Sequence, residues 1–126
     1  MKILVTGVAG LLGSRLADWI IENTNHTVVG VDNLSGGFVE NINKDVIFHN
    51  LDLAHNDISE IFETHRPEIV YHFAAYAAEG LSPFIRKFNY ENNLIASVNL
   101  INNSIKYDVD RFVFASSMSV YGDKYK

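Results

Sequence analysis

The sequence predicts an α/β protein in which helices cover both faces of a parallel sheet. Short apolar runs alternate along the chain with segments of helical periodicity, which is the pattern of repeated βαβ units. The strand-like runs are apolar at nearly every position, as expected for strands buried on both faces. Right-handed crossovers between such strands give a doubly wound sheet with the strand order 3-2-1-4-5.

The composition fits a single domain of this class, covering residues 1–126. Of these 126 residues 48% are hydrophobic, which is enough to bury a core. The formal net charge is -5 and no block of lysine and arginine stands out, which argues against a nucleic-acid partner. The chain has no cysteine and no apolar run that could span a membrane. We therefore expect a cytoplasmic protein without disulfides, metal sites or a membrane partner.

Five strands can be placed on the sequence. Apolar and β-branched runs predict them at residues 3–6, 27–31, 46–48, 68–73 and 111–115. Ligands of doubly wound sheets bind outside the carboxyl ends of the strands. The residues that follow each run are therefore the candidates for function.

Three helices are predicted between these strands. Apolar residues at helical spacing place them at about 11–23, at 58–65 and from about 83 to 106. Ser82 is expected to cap the third helix, with Pro83 at its first position. Its apolar stripe consists of Phe84, Phe88, Ile95, Val98, Ile101 and Ile105.

The stretch "VTGVAGLLG" places three glycines between the first strand and the first helix. Gly7 permits a tight turn, Gly10 leaves room for a pyrophosphate beside the backbone, and Gly13 lets the helix pack closely. The free N–H groups at the start of the helix, at Leu11 and Leu12, would face such an anion. The glycines alone fit equally well a tight turn that binds nothing.

Two carboxylates at strand ends favour the ligand-binding interpretation. Asp32 ends the second strand, where a carboxylate accepts the ribose hydroxyls of a dinucleotide and repels a 2′-phosphate. Because no arginine follows it up to Lys44, NAD is favoured over NADP. Asp52 follows the third strand, where it can accept from the adenine amino group, with Leu53 against the ring, or cap a helix. Together these residues predict a Rossmann fold that binds NAD.

Further polar and small residues have two interpretations each. Ala74 and Ala75 are small where a flat ligand must pass a strand end, although plain packing explains them as well. Asn92 interrupts the apolar stripe of the third helix, so it either is hydrogen-bonded within the core or lies at the surface. His72, inside a strand, is predicted to be a core histidine rather than a base. The other histidines are scattered without metal-ligand spacing: His26, His49, His55 and His65.

These residues resemble the extended short-chain dehydrogenase/reductases, in particular the NAD-dependent nucleotide-sugar epimerases and dehydratases. The segments "TGVAGLLG", "VDNLSGG", "LDL", "HFAAYAA", "NYENNLIAS" and "FVFASSMSVYG" match motifs of that family in order along the whole chain. Epimerases of UDP-sugars are the most similar type. The resemblance implies that NAD and a nucleotide-sugar are the ligands.

The resemblance also assigns roles to individual residues. It puts Asn33 beside Asp32 near the adenosine ribose, and it places Ser117 as the hydroxyl that hydrogen-bonds the reacting oxygen of the sugar. It further implies that the third helix, over 83–106, forms a homodimer interface. Other residues that it places along the cofactor or in the serine loop are Phe73, Ala74, Ala75, Asn92 and Ser116.

One element of the family pattern is missing from the sequence. The chemistry of the family needs a Tyr-x-x-x-Lys pair, in which the tyrosine acts as the general base. Tyr121 is followed four residues later by Tyr125, and no tyrosine of the chain has a lysine at that spacing. Two hypotheses follow. In the first, the chain is the NAD-binding N-terminal part of an epimerase or dehydratase. In the second, it is a nucleotide-binding module without turnover, or part of an enzyme whose other half is a separate chain. Under either hypothesis the 126-residue chain alone is predicted to be inactive.

The residues after Ser116 narrow the reaction type. By resemblance, 4,6-dehydratases carry Thr-Asp-Glu where this chain has Ser117, Met118 and Ser119. The acid pair of those dehydratases is therefore absent, and an epimerase is favoured over a dehydratase. A reductase or decarboxylase of the same family remains an alternative.

Overall fold

The fold is described by a computed structural model of the 126-residue chain. The description covers residues 1–77 and 80–122. Ala78, the last residue of the "HFAAYAA" segment, and Tyr125 lie outside the described residues.

Five parallel strands form one sheet in the order β3-β2-β1-β4-β5, which confirms the predicted topology. The strands are β1 Lys2–Thr6, β2 Thr27–Asp32, β3 Ile47–Asn50, β4 Ile69–His72 and β5 Arg111–Phe114. The helices are α1 Leu11–Asn23, α2 Ser59–His65, α3 Arg86–Asn89 and α4 Ala96–Lys106. Single 3₁₀ turns occur at Val39–Asn41, Ser82–Phe84 and Met118–Tyr121.

The register of the strands brings their carboxyl ends to one edge of the sheet. Thr6, the last residue of β1, pairs with Val31 of β2 on one side and with His72 of β4 on the other. His72 in turn pairs with Phe114, the last residue of β5. The loops that follow β1, β2 and β4 therefore begin side by side.

Helices cover both faces of the sheet, as predicted. One cluster of buried residues packs Leu4 and Val70 of the sheet against Phe62 of α2 and Leu100 of α4. A second cluster on the opposite face packs strand residues against Ile20 and other residues of α1. The observed strand and helix bounds differ from the predicted ones by at most two residues, except in the third predicted helix.

The buried face of α1 consists mostly of small residues, with Ile20 as its large apolar side chain. Gly13, Ser14, Ala17 and Ile20 are buried. Leu11, Leu12 and Trp19 carried the periodicity but are 58–76% exposed. The small side chains let the helix approach the sheet closely, so periodicity located the helix correctly while residue size determined which face is buried.

The third predicted helix is wrong in its start and in its buried face. Ser82 begins a 3₁₀ turn instead of capping the helix, and helical structure starts at Arg86. Between α3 and α4 the helix continues through a π-helical segment, Tyr90–Ile95. The buried residues of α4 are Ala96, Ser97, Leu100 and Ser104. The predicted stripe faces solvent, with exposures of 39–83% at Phe84, Phe88, Ile95, Val98, Ile101 and Ile105.

Candidate functional site

A cleft lies at the carboxyl edge of the sheet, between the loops that follow β1, β2, β3 and β4. The helix that carries Asn92 and Ala96 closes its remaining side. Most of the predicted cofactor residues line this cleft: Gly7, Gly10, Asp32, Asn33, Asp52, Leu53, Phe73, Ala74, Ala75 and Asn92. Residues far apart in the sequence therefore meet where the topology predicts a ligand.

The glycine loop needs glycine for two different reasons. Gly7 adopts φ +70°, a left-handed conformation that side chains disfavour, and a Cβ there would lie 2.8 Å from the Ala74 amide nitrogen. A Cβ at Gly13 would lie 2.1 Å from the Gly7 carbonyl oxygen. Gly13 thus allows close packing of α1, as predicted, but the contact is with the glycine loop itself rather than with the strand.

The start of α1 offers unpaired donors to an anion. Gly10 occupies the N-cap, no side chain caps the helix, and its first turn contains no acidic residue. The helix begins with the bond from the Ser14 amide to the Gly10 carbonyl at 3.0 Å. Leu11 and Leu12 project exposed side chains and do not line the cleft, so these two residues can contribute only through their backbone N–H groups. This arrangement fits a bound pyrophosphate.

Asp32 connects the loop after β2 to the glycine loop. Its Oδ2 accepts from the Ala9 amide at 3.0 Å, and its Oδ1 accepts from the Leu34 amide at 2.8 Å. Each carboxylate oxygen has a second lone pair, so both can still accept from a diol in the cleft. Asn33 is exposed, and its side chain accepts from the Ser35 amide at 3.0 Å.

The loop after β2 also contains contacts that the sequence interpretation missed. A Cβ at Gly37 would lie 2.6 Å from the Ala9 carbonyl oxygen, so this loop packs directly on the glycine loop. The same carbonyl accepts from Nδ2 of Asn41 at 3.0 Å. The sequence signal for this contact was the pair of glycines in the "NLSGG" turn. Only the close approach of the two loops explains why the second of them, Gly37, must be glycine.

Asp52 caps a turn rather than a helix. Its Oδ1 accepts from the Ala54 amide at 2.8 Å, and its Oδ2 contacts Nδ1 of His55 at 3.0 Å. The residue that bonds the start of α2 is Asp57, which accepts from the Ser59 amide at 3.0 Å. The prediction that Asp52 caps a helix is therefore wrong, because α2 begins seven residues after Asp52. The alternative prediction, that Asp52 accepts from the adenine amino group, is not affected. Leu53 is buried in the core and lines the cleft.

The protonation of Asp52 and His55 is coupled. Burial raises the pKa of Asp52, but hydrogen bonds from the His55 side chain and the Ala54 amide outweigh it, so the net pKa is lowered. The hydrogen bond to Asp52 and the charge of that carboxylate raise the pKa of His55. His55 also approaches Glu91 at 3.6 Å, and Glu91 lies 3.8 Å from Lys87. These side chains link the turn after β3 to the helix across the cleft.

His72 is a buried, fully bonded histidine, in agreement with the prediction. The Thr6 hydroxyl oxygen accepts from the amides of Phe73 and Ala74 at 3.1 Å each. It must therefore donate its proton to Nδ1 of His72, 2.7 Å away. Nε2 of His72 then donates to the Ser97 hydroxyl at 2.8 Å. Burial lowers the pKa of His72 to about 4, so the ring is neutral near pH 7.

Adjacent asparagines have separate roles. Nδ2 of Asn92 donates to the Phe88 carbonyl at 2.9 Å, and its side chain is at the border of the cleft. Asn93 binds both backbone groups of Tyr76: its Oδ1 accepts from the amide at 2.7 Å, and its Nδ2 donates to the carbonyl at 3.1 Å. Sequence analysis singled out Asn92 and missed Asn93, although both stand in the same "ENN" segment.

Ser116 and Ser117 follow β5 at the same edge of the sheet but do not line the described cleft. Both are exposed. The Ser117 hydroxyl oxygen accepts from the Ser119 amide at 3.1 Å and thereby caps the last 3₁₀ turn. The structure therefore presents a hydroxyl-capped turn at this position, and the role that the resemblance gives to Ser117 stays a prediction.

Two of the histidines that looked scattered are in contact. Nε2 of His49 on β3 lies 3.0 Å from Nε2 of His65, the last residue of α2. Burial, the charge of His49 and that of Lys2 lower the pKa of His65.

Across residues 1–77 and 80–122, no group of three or more histidines and acidic residues could hold a metal ion. No helix in the same ranges is long and apolar enough to cross a membrane.

The parallel sheet, the glycine loop and the acidic strand ends define a nucleotide-binding α/β protein of the Rossmann type. Residues 3–126 match the model of the NAD-dependent epimerase/dehydratase family. The chain belongs to that family.

Similar proteins agree with this assignment. A putative UDP-glucose 4-epimerase of Methanocaldococcus jannaschii is 38% identical over 96% of this chain and 40% of its own length. A UDP-glucose 4-epimerase of Thermotoga maritima, solved with UDP-glucose, is 41% identical with a TM-score of 0.94 over 100% of this chain and 41% of that one. The enzyme of Thermus thermophilus, solved in complex with NAD, is 35% identical with a TM-score of 0.84 over 93% of this chain and 38% of that one. The chain therefore spans about 40% of the length of such relatives, at their N-terminal end.

Proposed function

We propose that this chain is the NAD-binding portion of a nucleotide-sugar epimerase similar to UDP-glucose 4-epimerase. Such an enzyme oxidises and re-reduces one sugar carbon by hydride transfer through NAD. The observation that carries the proposal is the cleft in which Gly7, Gly10, Asp32 and Asp52 meet at the carboxyl edge of the sheet. The Thermus relative, a member of the same family solved with NAD, supports the choice of cofactor.

The chain's own residues would hold the cofactor in two halves. The amides at the start of α1 bind the pyrophosphate, and Asp32 accepts the adenosine ribose hydroxyls beside Asn33. Asp52 and Leu53 form the adenine side. Phe73, Ala74, Ala75 and Asn92 border the path toward β4 and β5, where the nicotinamide half belongs. Bound NAD supplies the hydride chemistry, and these residues orient it and exclude water.

Calorimetric titration of the purified chain with NAD, NADP and a UDP-sugar tests this proposal. We expect binding of NAD in preference to NADP, because Asp32 repels a 2′-phosphate and no arginine follows it up to Lys44. The variant Asp32→Asn should reduce the ratio of NAD affinity to NADP affinity about tenfold, because the substitution removes the charge of one hydrogen-bond acceptor. Asp45→Asn, in the exposed loop before β3, is the matched control and should leave the ratio unchanged. Equal affinity of the unaltered chain for both dinucleotides would contradict the proposal.

We further propose that Ser117 hydrogen-bonds the reacting sugar oxygen in the epimerase, with Ser116 in the same loop along the cofactor. Turnover in this family depends on a Tyr-x-x-x-Lys pair, which these 126 residues do not contain. The chain alone should therefore bind NAD without epimerising a UDP-sugar. Measurable epimerisation by the purified 126-residue chain would overturn this part of the proposal.

A dinucleotide-binding module without catalysis is the second candidate. It rests on the same cleft and on the lack of a Tyr-x-x-x-Lys pair within these 126 residues. A dehydratase or reductase of the same family is a third candidate, but Met118 and Ser119 stand where the dehydratases carry an acid pair. Sequencing of the gene beyond the codon for Lys126 separates the module from the larger enzymes.

We also propose a cytoplasmic protein that forms a homodimer through the helical segment from Arg86 to Lys106. The exposed apolar stripe on that helix supports the proposal, since Val98 and Ile101 are each 42% exposed and Ile105 is 72% exposed. Ile101→Glu should convert a dimer to a monomer in sedimentation analysis. Glu22→Gln, at an exposed position of α1 on the opposite face of the sheet, is the control and should leave the association state unchanged.

A further inference from the structure

One helix holds the two strand-end loops that form opposite sides of the cleft. The helix runs from Arg86 through the π-helical segment to Lys106. The amide of Asn93 bonds the loop after β4, and the amide of Asn99 bonds the turn after β3. These two asparagines stand six residues apart and face different loops.

The contact of Asn93 fixes the backbone of Tyr76 at both of its polar groups. The bond lengths are 2.7 Å from the Tyr76 amide to Oδ1 and 3.1 Å from Nδ2 to the Tyr76 carbonyl. The Tyr76 ring also packs on Phe88 of the same helix, with centroids 4.9 Å apart and planes at 86°. At its start the loop is held by the Thr6 hydroxyl, which accepts from Phe73 and Ala74. The first residues of the loop, Phe73 to Tyr76, are therefore held on both sides of Ala75.

The contact of Asn99 is made to the other side of the cleft. Its Nδ2 donates to the Leu53 carbonyl at 2.9 Å, with a longer contact of 3.4 Å to the Ala54 carbonyl. Leu53 follows Asp52, and both line the cleft. Asn99 thus sets the position of the turn that forms the proposed adenine side.

The order of the strands assigns each loop to one half of a dinucleotide. In a doubly wound sheet the two mononucleotide halves lie on either side of the switch point at β1. Asp32 and Asp52 place the adenosine over β2 and β3, so the loop after β4 faces the nicotinamide half. The π-helical segment contains both Asn92 and Asn93. Within it, Asn92 lines the cleft while the next residue, Asn93, contacts the loop after β4.

We propose that Asn93 is a positioning residue for the nicotinamide half of NAD and that Asn99 is a positioning residue for the adenine half. This inference rests on the proposed NAD binding. Asn93 acts through Tyr76 and its neighbours in the loop after β4, and Asn99 acts through Leu53. The two sides of the site are therefore adjusted separately from one helix.

Two ligands test this division, because ADP-ribose is NAD without the nicotinamide ring. Asn93→Leu leaves the amide and carbonyl of Tyr76 without their partner, so we expect NAD to bind about tenfold more weakly while ADP-ribose affinity stays within about twofold. Asn99→Leu should weaken both ligands by the same factor. Asn103→Leu is the matched control, since the Asn103 amide bonds only the Asn99 carbonyl of its own helix, and neither affinity should change.

The outcomes distinguish the inference from a structural role and from failure of the proposed function. The inference is wrong if Asn93→Leu weakens the binding of NAD and of ADP-ribose equally, or if it weakens the binding of neither ligand. If the unaltered chain binds neither ligand, the proposed NAD binding fails first and the inference fails with it. Asn93→Asp keeps the acceptor for the Tyr76 amide and should show the same selectivity with a smaller loss. If circular dichroism shows that Asn93→Leu does not fold, the affinities of Asn93→Asp for NAD and ADP-ribose are compared instead.

Discussion

The hydroxyl of Thr6 and the imidazole of His72 form a buried hydrogen bond of 2.7 Å directly beneath the cleft. It joins the last residue of β1 to the last residue of β4, which are also partners in the sheet. Through Ser97 the same chain of bonds reaches α4. A polar network inside an otherwise apolar core therefore lies directly behind Gly7 and Phe73, which line the cleft.

Removing the hydroxyl from this network should destabilise the fold. Thr6→Val keeps the shape of the side chain but leaves Nδ1 of His72 and the amides of Phe73 and Ala74 without their partner. An unsatisfied buried group costs about 1–3 kcal/mol, and Nδ1 of His72 is buried while the two amides are only half-buried. We therefore expect the free energy of unfolding by urea to fall by at least about 2 kcal/mol. Thr64→Val, at an exposed position of α2, is the control. Equal stability of the two variants would contradict the network.

The ring of His72 should stay neutral until the solution is acidic. Its pKa is about 4 in the folded chain against an ordinary value of 6.5, so protons bind preferentially to the unfolded state between these values. His72 thus contributes stability that is fully present above pH 6.5 and is lost as the pH falls toward 4, by roughly 3 kcal/mol in total. NMR titration of the ring resonances measures the pKa directly. A midpoint near 6.5 in the folded chain would contradict the buried, neutral assignment.

The contribution of His55 to stability should depend on pH in the opposite sense to that of His72. The pKa of His55 is raised by the hydrogen bond to Asp52, so its contribution is present below pH 6.5 and is lost as the pH rises through the folded-state pKa. In His55→Gln the pKa of Asp52 should rise, because the hydrogen bond from the imidazole is removed. NMR titration of the Asp52 carboxyl carbon measures that shift. His26→Gln, on the loop before β2, is the control and should leave Asp52 unchanged.

The close approach at Gly13 should make that position intolerant of any side chain. In Gly13→Ala the new Cβ would lie 2.1 Å from the Gly7 carbonyl oxygen, so the helix or the glycine loop must move. We expect a loss of more than about 3 kcal/mol in the free energy of unfolding, or no folded protein. At Gly80 a Cβ would have no atom within 4 Å, so Gly80→Ala is the matched control and should unfold as the unaltered chain does. A stable Gly13→Ala variant with unchanged NAD affinity would contradict the packing.

The sequence by itself determined the sheet, its strand order and most of the residues around the cleft. The central strands β1 and β2 are buried and largely apolar, and the glycines and Asp32 stand at fixed offsets from them, so local patterns were sufficient for these parts of the molecule. The same patterns did not determine which face of a helix is buried. Leu12 and Ile101 have the periodicity of core residues but are 64% and 42% exposed. The faces of their helices that pack on the sheet consist largely of small residues, together with Ile20 and Leu100.

Only the tertiary structure decided which polar groups meet. Asn93 and Tyr76 are 17 residues apart, and Thr6 and His72 are 66 apart. No local spacing distinguishes Asn93 from Asn92, because the choice depends on the π-helical turn between α3 and α4. Hydrogen bonds between distant segments require both backbones to be in place, and side-chain periodicity contains no information on that placement.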